Sequence, residues 1–450
     1  MIKPVDAILE RLKKHTREYA VVSNPSYVYP PEEYYPLAPP LHQVEQLSGV
    51  LMDMDGTTTT TEELCIYSLD EMVRLMSGVG SREQWQGLDR ENDYPYIIGN
   101  STTKHVEYLI HTYQSYINED AARQAFLMAA VWTLQEGRDE QRRMEVRQNL
   151  TRLGLSEIIQ PIEQHEMDGD DAQSHAARIS GLDFTRLVSL GIDIYYQVYH
   201  QMLARLNEGE SGKIKKTLFG SQNSEKDLIA PMPGIPLFLP MLKGWLGADI
   251  SYVAGDLVDH YQASRRRELS QDQKEEVIRR LTRLSRYFEQ HPVQVGLVTS
   301  SIRYEADVVI QEVFRVIREY FMSSSLPDQR KRFLAERFGD YRNYYDAFVT
   351  ASDSSEIRLK PHRDLYSIAL HQLGIPPENF DQVIGFEDSQ SGTIAIRAAG
   401  IGCCVAVPFA ETSDHNFEAA VHTVKGGIPE TLLKHQLFIK QEEKQRSDYE

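Results

Sequence analysis

Residues 49–57 read GVLMDMDGT. The run Gly49 to Asp53 is apolar until its last residue and then breaks into an acidic, glycine-containing turn. Its length and its turn signal predict a short strand buried on both faces. The turn carries Asp53 and Asp55, one residue apart, followed by Gly56. One such carboxylate can serve as nucleophile and the other as general acid and base. Gly56 permits the tight backbone departure that lets the loop wrap a phosphate.

Four further runs share the pattern of the first strand: VQVGLVT (293–299), YDAFVTA (345–351), FDQVIGF (380–386) and GCCVAV (402–407). Helical periodicity separates them, as in YEADVVIQEVFRVIREYF, HRDLYSIALHQLG and GTIAIRAAG. Strand–helix–strand repetition implies right-handed crossovers and a parallel sheet, so the fold class is α/β. Between the first strand and the rest, residues 65–228 carry almost only helical spacing and read as an inserted helical domain. The expected organisation is therefore an N-terminal helix and Pro/Tyr-rich arm over 1–47, and an α/β core over 48–64 and 229–435. The core carries additions at about 248–291 and 321–344; the helical insertion spans 65–228 and a polar tail 436–450. The repeated prolines of NPSYVYPPEEYYPLAPPL predict an extended arm lying over the body.

Composition excludes several classes. The chain has 450 residues, with 48 Lys+Arg against 66 Asp+Glu, a formal net charge of −18. An acidic balance argues against nucleic acid, which needs clustered Lys and Arg, but leaves small phosphorylated ligands open. Three cysteines, none in a CxxC, cannot build a disulfide framework and indicate a reducing compartment. Cys403 and Cys404 fall in a predicted strand, where neighbours point to opposite faces, so they are no redox pair. The opening MIKPVDAILERLKKHTREY has no apolar signal region, and the longest dense apolar run, Phe126 to Leu134, is too short to span a bilayer. The expectation is a cytoplasmic protein without a membrane partner; composition leaves its oligomeric state open.

In a parallel sheet, sites form where the loops leave the carboxyl ends of the strands. Thr299-Ser300-Ser301 follows the second strand and opens a helix, a setting in which hydroxyls and N–H groups suit an anionic phosphoryl group. Lys360-Pro361 ends the loop after the third strand, and its ammonium can balance carboxylate and phosphoryl charge. Glu387-Asp388-Ser389 follows the fourth, supplying hard oxygen ligands for Mg²⁺.

DMDGT, VTSS, RLKP and FEDSQSG, in that order and each at a predicted strand end, resemble the haloacid dehalogenase-like (HAD) hydrolase superfamily. LKPHRDLYSIALHQLGI with IGFEDSQSGTIAIRAAGIG is similar to the branch that holds β-phosphoglucomutase and phosphoglycolate phosphatase. The resemblance covers about 49–64 and 229–408 and implies a Rossmann-like core with an enlarged helical cap. It implies a Mg²⁺-dependent phosphatase acting on a small phosphorylated metabolite through an aspartyl-phosphate. Asp53 would then be the nucleophile, Asp55 the acid and base, and Thr299 and the Ser300 N–H the phosphoryl binders with Lys360. Asp388, the Asp53 carboxylate and the Asp55 backbone carbonyl would form the metal shell, with Glu387 as second ligand or orienter. A sugar phosphomutase, using the same catalytic set, and a non-catalytic binding protein on the same fold are the alternatives.

The chain departs from that pattern after DGT, where Thr57 to Thr61 predict an extended, solvated flap. Asn100, Ser101 and Lys104 match a cap loop that reads the leaving group, although Ser101 or Thr102 serves equally as a helix N-cap. The acidic run 165–171 lacks calcium-loop spacing and reads as a solvated turn, and Tyr195, Tyr196 and Tyr199 as helical core.

Overall fold

The computed structural model describes residues 4–24, 28–97, 102–214, 227–266, 268–355, 358–409 and 412–440. The chain divides into two compact units, Met1–Thr60 with Ile229–Glu450, and Thr61–Leu228.

The first unit is an α/β unit built on a six-stranded parallel sheet. In chain order its strands are Gly49–Asp53, Gln294–Val298, Ala347–Val349, Val383–Glu387, Cys403–Ala406 and His422–Thr423. Gly49–Asp53 is central, between Gln294–Val298 and Val383–Glu387. All five of its residues are buried, as its unbroken apolar pattern requires of a strand covered on both faces. Burying a side chain such as Leu51 contributes about 1.5–3 kcal/mol. One face of the sheet packs Leu51, Val298 and Val349 against Leu365, Tyr366 and Ile396. Phe238, from helix Ile235–Leu242, buried at every position but Pro236, meets Phe386 edge to face at 5.6 Å.

Register brings three strand ends level. Asp53 pairs with Val298 and Met52 with Phe386, so the loops beginning at residues 54, 299 and 388 leave the sheet side by side. The 248–291 stretch forms helices Ala254–Arg265 and Gln271–Gln290, the latter opened by a Ser270–Gln273 capping box. Within 321–344, helix Asp328–Arg337 leads to an aromatic cluster in which Trp245 packs on Phe338 and Tyr344.

Two expectations need correction, and the expected extended arm gains a partner strand. The N-terminal arm is a β-hairpin: Tyr19–Ser23 pairs antiparallel with Glu32–Pro36. Prolines are tolerated on such an edge, and its alternating inner face, Val22, Tyr35 and Leu37, packs against Ala398. The predicted polar tail does not begin at 436. Leu437 and Phe438 are buried, and Val44 exchanges backbone hydrogen bonds with Phe438 and Lys440; 441–450 lie outside the described residues. The threonine run is not solvated. Thr57, Thr58, Thr59 and Thr61 are buried, and Thr59–Thr60 pairs antiparallel with Ala230–Pro231.

The second unit is helical. Helices Glu62–Ser77 and Glu119–Glu136 pack on the 24-residue helix Phe184–Asn207. Asn118, Asp139 and Asp183 cap helix N-termini by accepting backbone N–H groups. Tyr195 and Tyr199 are buried and stacked at 5.8 Å, as core residues. In the 165–171 turn, Asp168 caps a short helix by accepting from the Asp171 N–H. Among the described residues, no helix is long and apolar enough to cross a membrane.

Candidate active site

At the carboxyl edge of the sheet, the Lys360 ammonium is the hub. It donates to Asp53 Oδ1, to Glu387 Oε1 at 2.7 Å and to the Val298 carbonyl at 3.1 Å. An ammonium has three protons, and all three are engaged. Its side chain is only 6 % exposed. Burial works against its charge, yet Asp53 and Glu387 hold its pKa above the ordinary lysine range. For Asp53, burial first and the Glu387 charge second push the carboxyl well above the usual carboxylate range, with Lys360 pulling the other way.

Glu387 is saturated with donors. Its Oε2 accepts from the Asp388 and Ser389 N–H groups, each at 3.1 Å, and from Ser389 Oγ at 2.8 Å. Its Oε1 accepts from Tyr366 OH at 3.2 Å as well as from Lys360. The Ser389 hydroxyl also caps helix Gln390–Ala398 by accepting the Gly392 N–H. A Cβ on Gly392 would lie 1.7 Å from Glu387 Oε1, so only glycine leaves room for this carboxylate.

Asp388 accepts from Thr57 Oγ1 at 3.2 Å, and Thr58 Oγ1 donates to the Asp53 carbonyl at 2.5 Å. These buried threonines fasten the acidic loop, which turns at Gly56 with φ 80°. A Cβ there would lie 2.6 Å from both Asp388 Oδ2 and Phe409.

The Asp55 carboxylate belongs to a separate group. It accepts from Ser301 Oγ at 3.1 Å and Thr299 Oγ1 at 3.4 Å, while Thr299 Oγ1 accepts the Ser301 N–H at 2.9 Å. Ser300 is solvent-exposed in the same turn. Among the expected site residues, Asp53, Asp55, Thr299, Ser300, Lys360, Glu387 and Asp388 thus belong to adjoining loops on one edge. Lys104 is exposed on helix Thr102–Thr112 of the helical unit, and Asn100 and Ser101 lie outside the described residues. Sequence reading gave no role to Tyr366 or Gly392, took Thr57 for solvated flap, and offered Ser301 as one hydroxyl of the helix-opening turn rather than as the partner of Asp55.

Carboxylate oxygens of Asp53, Glu387 and Asp388 come within 4.8 Å of one another. Ionised, three carboxylates beside one ammonium carry a formal charge of −3 + 1 = −2. A hard, all-oxygen donor set of that charge fits a divalent cation such as Mg²⁺. The Asp55 side chain is not in this cluster, and the expectation for Asp55 concerned its backbone carbonyl. Beside the loop, a cleft of about 280 Å³ is lined by Gly56, Thr57, Met232, His260, Phe409 and Lys425.

No protein-family model matches the chain. A stretch of 81 residues is 36 % identical to a Bacillus subtilis (strain 168) protein named "Putative phosphatase YhcW". That match covers 18 % of this chain and 34 % of the relative, so the chain spans about a third of the relative's length in it. Among solved structures, CbbY from Rhodobacter sphaeroides in complex with phosphate is 15 % identical. It has a TM-score of 0.40, with 86 % of this chain and 96 % of that one covered. The β-phosphoglucomutase of Clostridium difficile is 12 % identical with a TM-score of 0.36, over 87 % and 97 % of the two chains.

Proposed function

We propose that this protein is a phosphoryl-transfer enzyme of the HAD-like superfamily, a phosphatase acting on a small phosphorylated metabolite. One observation carries the reading. A buried lysine joins two carboxylates at a strand edge where a third carboxylate is held apart by two hydroxyls. That is the separation of roles that nucleophilic attack with general acid catalysis needs.

Asp53 attacks phosphorus: a P–O bond forms to its carboxylate and the ester P–O bond breaks. Asp55, oriented by Thr299 and Ser301, protonates the departing oxygen and then takes a proton from the water that attacks the aspartyl-phosphate. Inorganic phosphate leaves and the Asp53 carboxylate returns. Lys360 offsets the negative charge that builds on the phosphoryl oxygens, and Thr299 with the Ser300 N–H binds them. Asp53 and Asp388 would hold Mg²⁺, while Glu387, its oxygens already bonded by five donors, orients Lys360 and the following helix. When bound, Mg²⁺ supplies further positive charge to the phosphoryl group. The apolar-walled cleft with Lys425 and His260 at hand takes the organic part of the substrate.

The test is a panel of phosphate esters with Mg²⁺, following both inorganic phosphate and isomerised sugar phosphate, with Asp53→Asn as control. Phosphate release lost in Asp53→Asn supports the phosphatase. Isomerisation without net release identifies the mutase, and no turnover on any ester in Mg²⁺ leaves a binding protein.

A further inference from the structure

The loop that carries Lys360 is held from outside the sheet. On its N-terminal flank, the Arg358 guanidinium contacts Glu33 at 3.0 Å and grips Asp364 through two nitrogens at 2.7 and 2.9 Å. On its C-terminal flank, His362 Nδ1 lies 2.7 Å from Tyr35 OH, which itself bonds Glu33 Oε2 at 2.5 Å. Glu33 and Tyr35 sit two apart on Glu32–Pro36, the second strand of the N-terminal hairpin. The hairpin segment is anchored in turn. Arg397, 2 % exposed, donates to the Ala38 carbonyl at 2.8 Å and to Glu18 at 2.6 Å, from the helix that begins beside Asp388.

We propose that Glu33 and Tyr35 are positioning residues. The hairpin brackets the Lys360 loop on both flanks, and through Arg397 ties it to the helix following Asp388. This rests on the catalytic reading of Lys360. The proton order in the network is determinate. The Glu33 carboxylate stays ionised, held down to about 2 chiefly by the Tyr35 hydrogen bond, so Tyr35 donates to it. The Tyr35 oxygen is then left to accept, which requires the His362 tautomer protonated on Nδ1. Burial keeps the His362 ring neutral by lowering its pKa. Each group thereby satisfies the next, and removing the hydroxyl in the middle takes the acceptor from His362 and leaves Glu33 to Arg358 and Asn24. Because Lys360 Nζ must meet three acceptors at once, a shift of its loop costs turnover rather than substrate binding.

The experiment compares the full-length protein with Tyr35→Phe, Glu33→Gln and, as control, Tyr34→Phe, whose exposed hydroxyl bonds Glu32. The readouts are kcat and KM on p-nitrophenyl phosphate in Mg²⁺, and hydrogen exchange of the 358–366 segment in folded protein. Tyr35→Phe and Glu33→Gln are expected to lose about 10- to 100-fold in kcat with KM held within about twofold. Exchange in 358–366 is expected to speed up, and Tyr34→Phe to match wild type in both. Wild-type kcat in folded Tyr35→Phe overturns the proposal, whether or not exchange changes. If the wild type turns over no phosphate ester, the phosphatase reading fails on its own, and exchange decides the bracket. Faster exchange in Tyr35→Phe then upholds it, and unchanged exchange overturns it.

Discussion

Both units bury aspartates, and they treat them differently. Asp53 in the sheet unit is 6 % exposed and Asp193 in the helical unit 3 %. Asp53 faces a lysine, two further carboxylates and strand-end loops whose N–H groups turn inward. Asp193 accepts a hydrogen bond from the Asn149 amide at 2.7 Å, with Arg142 near enough to act through its charge. Burial therefore pushes the Asp193 carboxyl up to about 7, with Asn149 and then Arg142 only partly offsetting it. The lesson is that burial alone does not make a reactive carboxylate. Burial pushes both carboxyls up; what differs is that the sheet edge bonds a lysine directly to Asp53, whereas Arg142 acts on Asp193 only through its charge.

The widest test of that contrast is the nucleophile. Asp53→Asn keeps the shape but removes the attacking oxygen, and turnover should fall about 10⁴-fold or more while the fold persists. Asp193→Asn should leave turnover unchanged. Near wild-type kcat in folded Asp53→Asn would falsify its assignment.

The second test is of charge in the helical unit. In the unfolded chain Asp193 ionises near 3.8, and in the folded one near 7. Between those values the native state holds more protons, so the stability this group contributes falls as pH rises and is gone above the folded value. Asp193→Asn removes that window: against wild type it should gain up to about 4 kcal/mol at pH 8 and nothing below pH 4. Urea unfolding at both pH values reads it. Identical pH slopes in the two proteins mean that Asp193 is not held neutral.

Third, Asp388→Ala should raise the Mg²⁺ concentration for half-maximal turnover about 100-fold, since even outer-shell changes cost about 10- to 100-fold. EDTA should silence the wild type reversibly, and full activity in EDTA would remove metal from the mechanism. The smallest expected effect is that of Gly392→Ala. A Cβ at 1.7 Å from Glu387 Oε1 must displace the carboxylate, at a cost of about 1–3 kcal/mol in stability together with slower turnover. Unaltered melting and kcat would mean that Glu387 is not confined as described.

Five of the six strands of the parallel sheet were legible from apolar runs, because a strand covered on both faces needs them whatever its neighbours are. His422–Thr423 was not: two residues carry no period, and their pairing with Val405 and Ala406 is a long-range event. The hairpin was hidden for a related reason. Its prolines argue for extension, but only its pairing and packing partners make extension into a strand. Thr57 to Thr61 read as surface by composition, yet the Thr57 and Thr58 hydroxyls find acceptors on Asp388 and Asp53, which offsets the cost of burying them.

The sequence by itself determined the strand–helix alternation, the helical insertion and the residue types at each strand end. All three depend on local periodicity and turn chemistry, which act within a few residues. Tertiary structure alone decided which of those groups meet. Lys360 and Asp53 are 307 residues apart, and Ser301 rather than Ser300 turns its hydroxyl to Asp55. Register between parallel strands sets those meetings to within one residue, and it is established only when the sheet assembles.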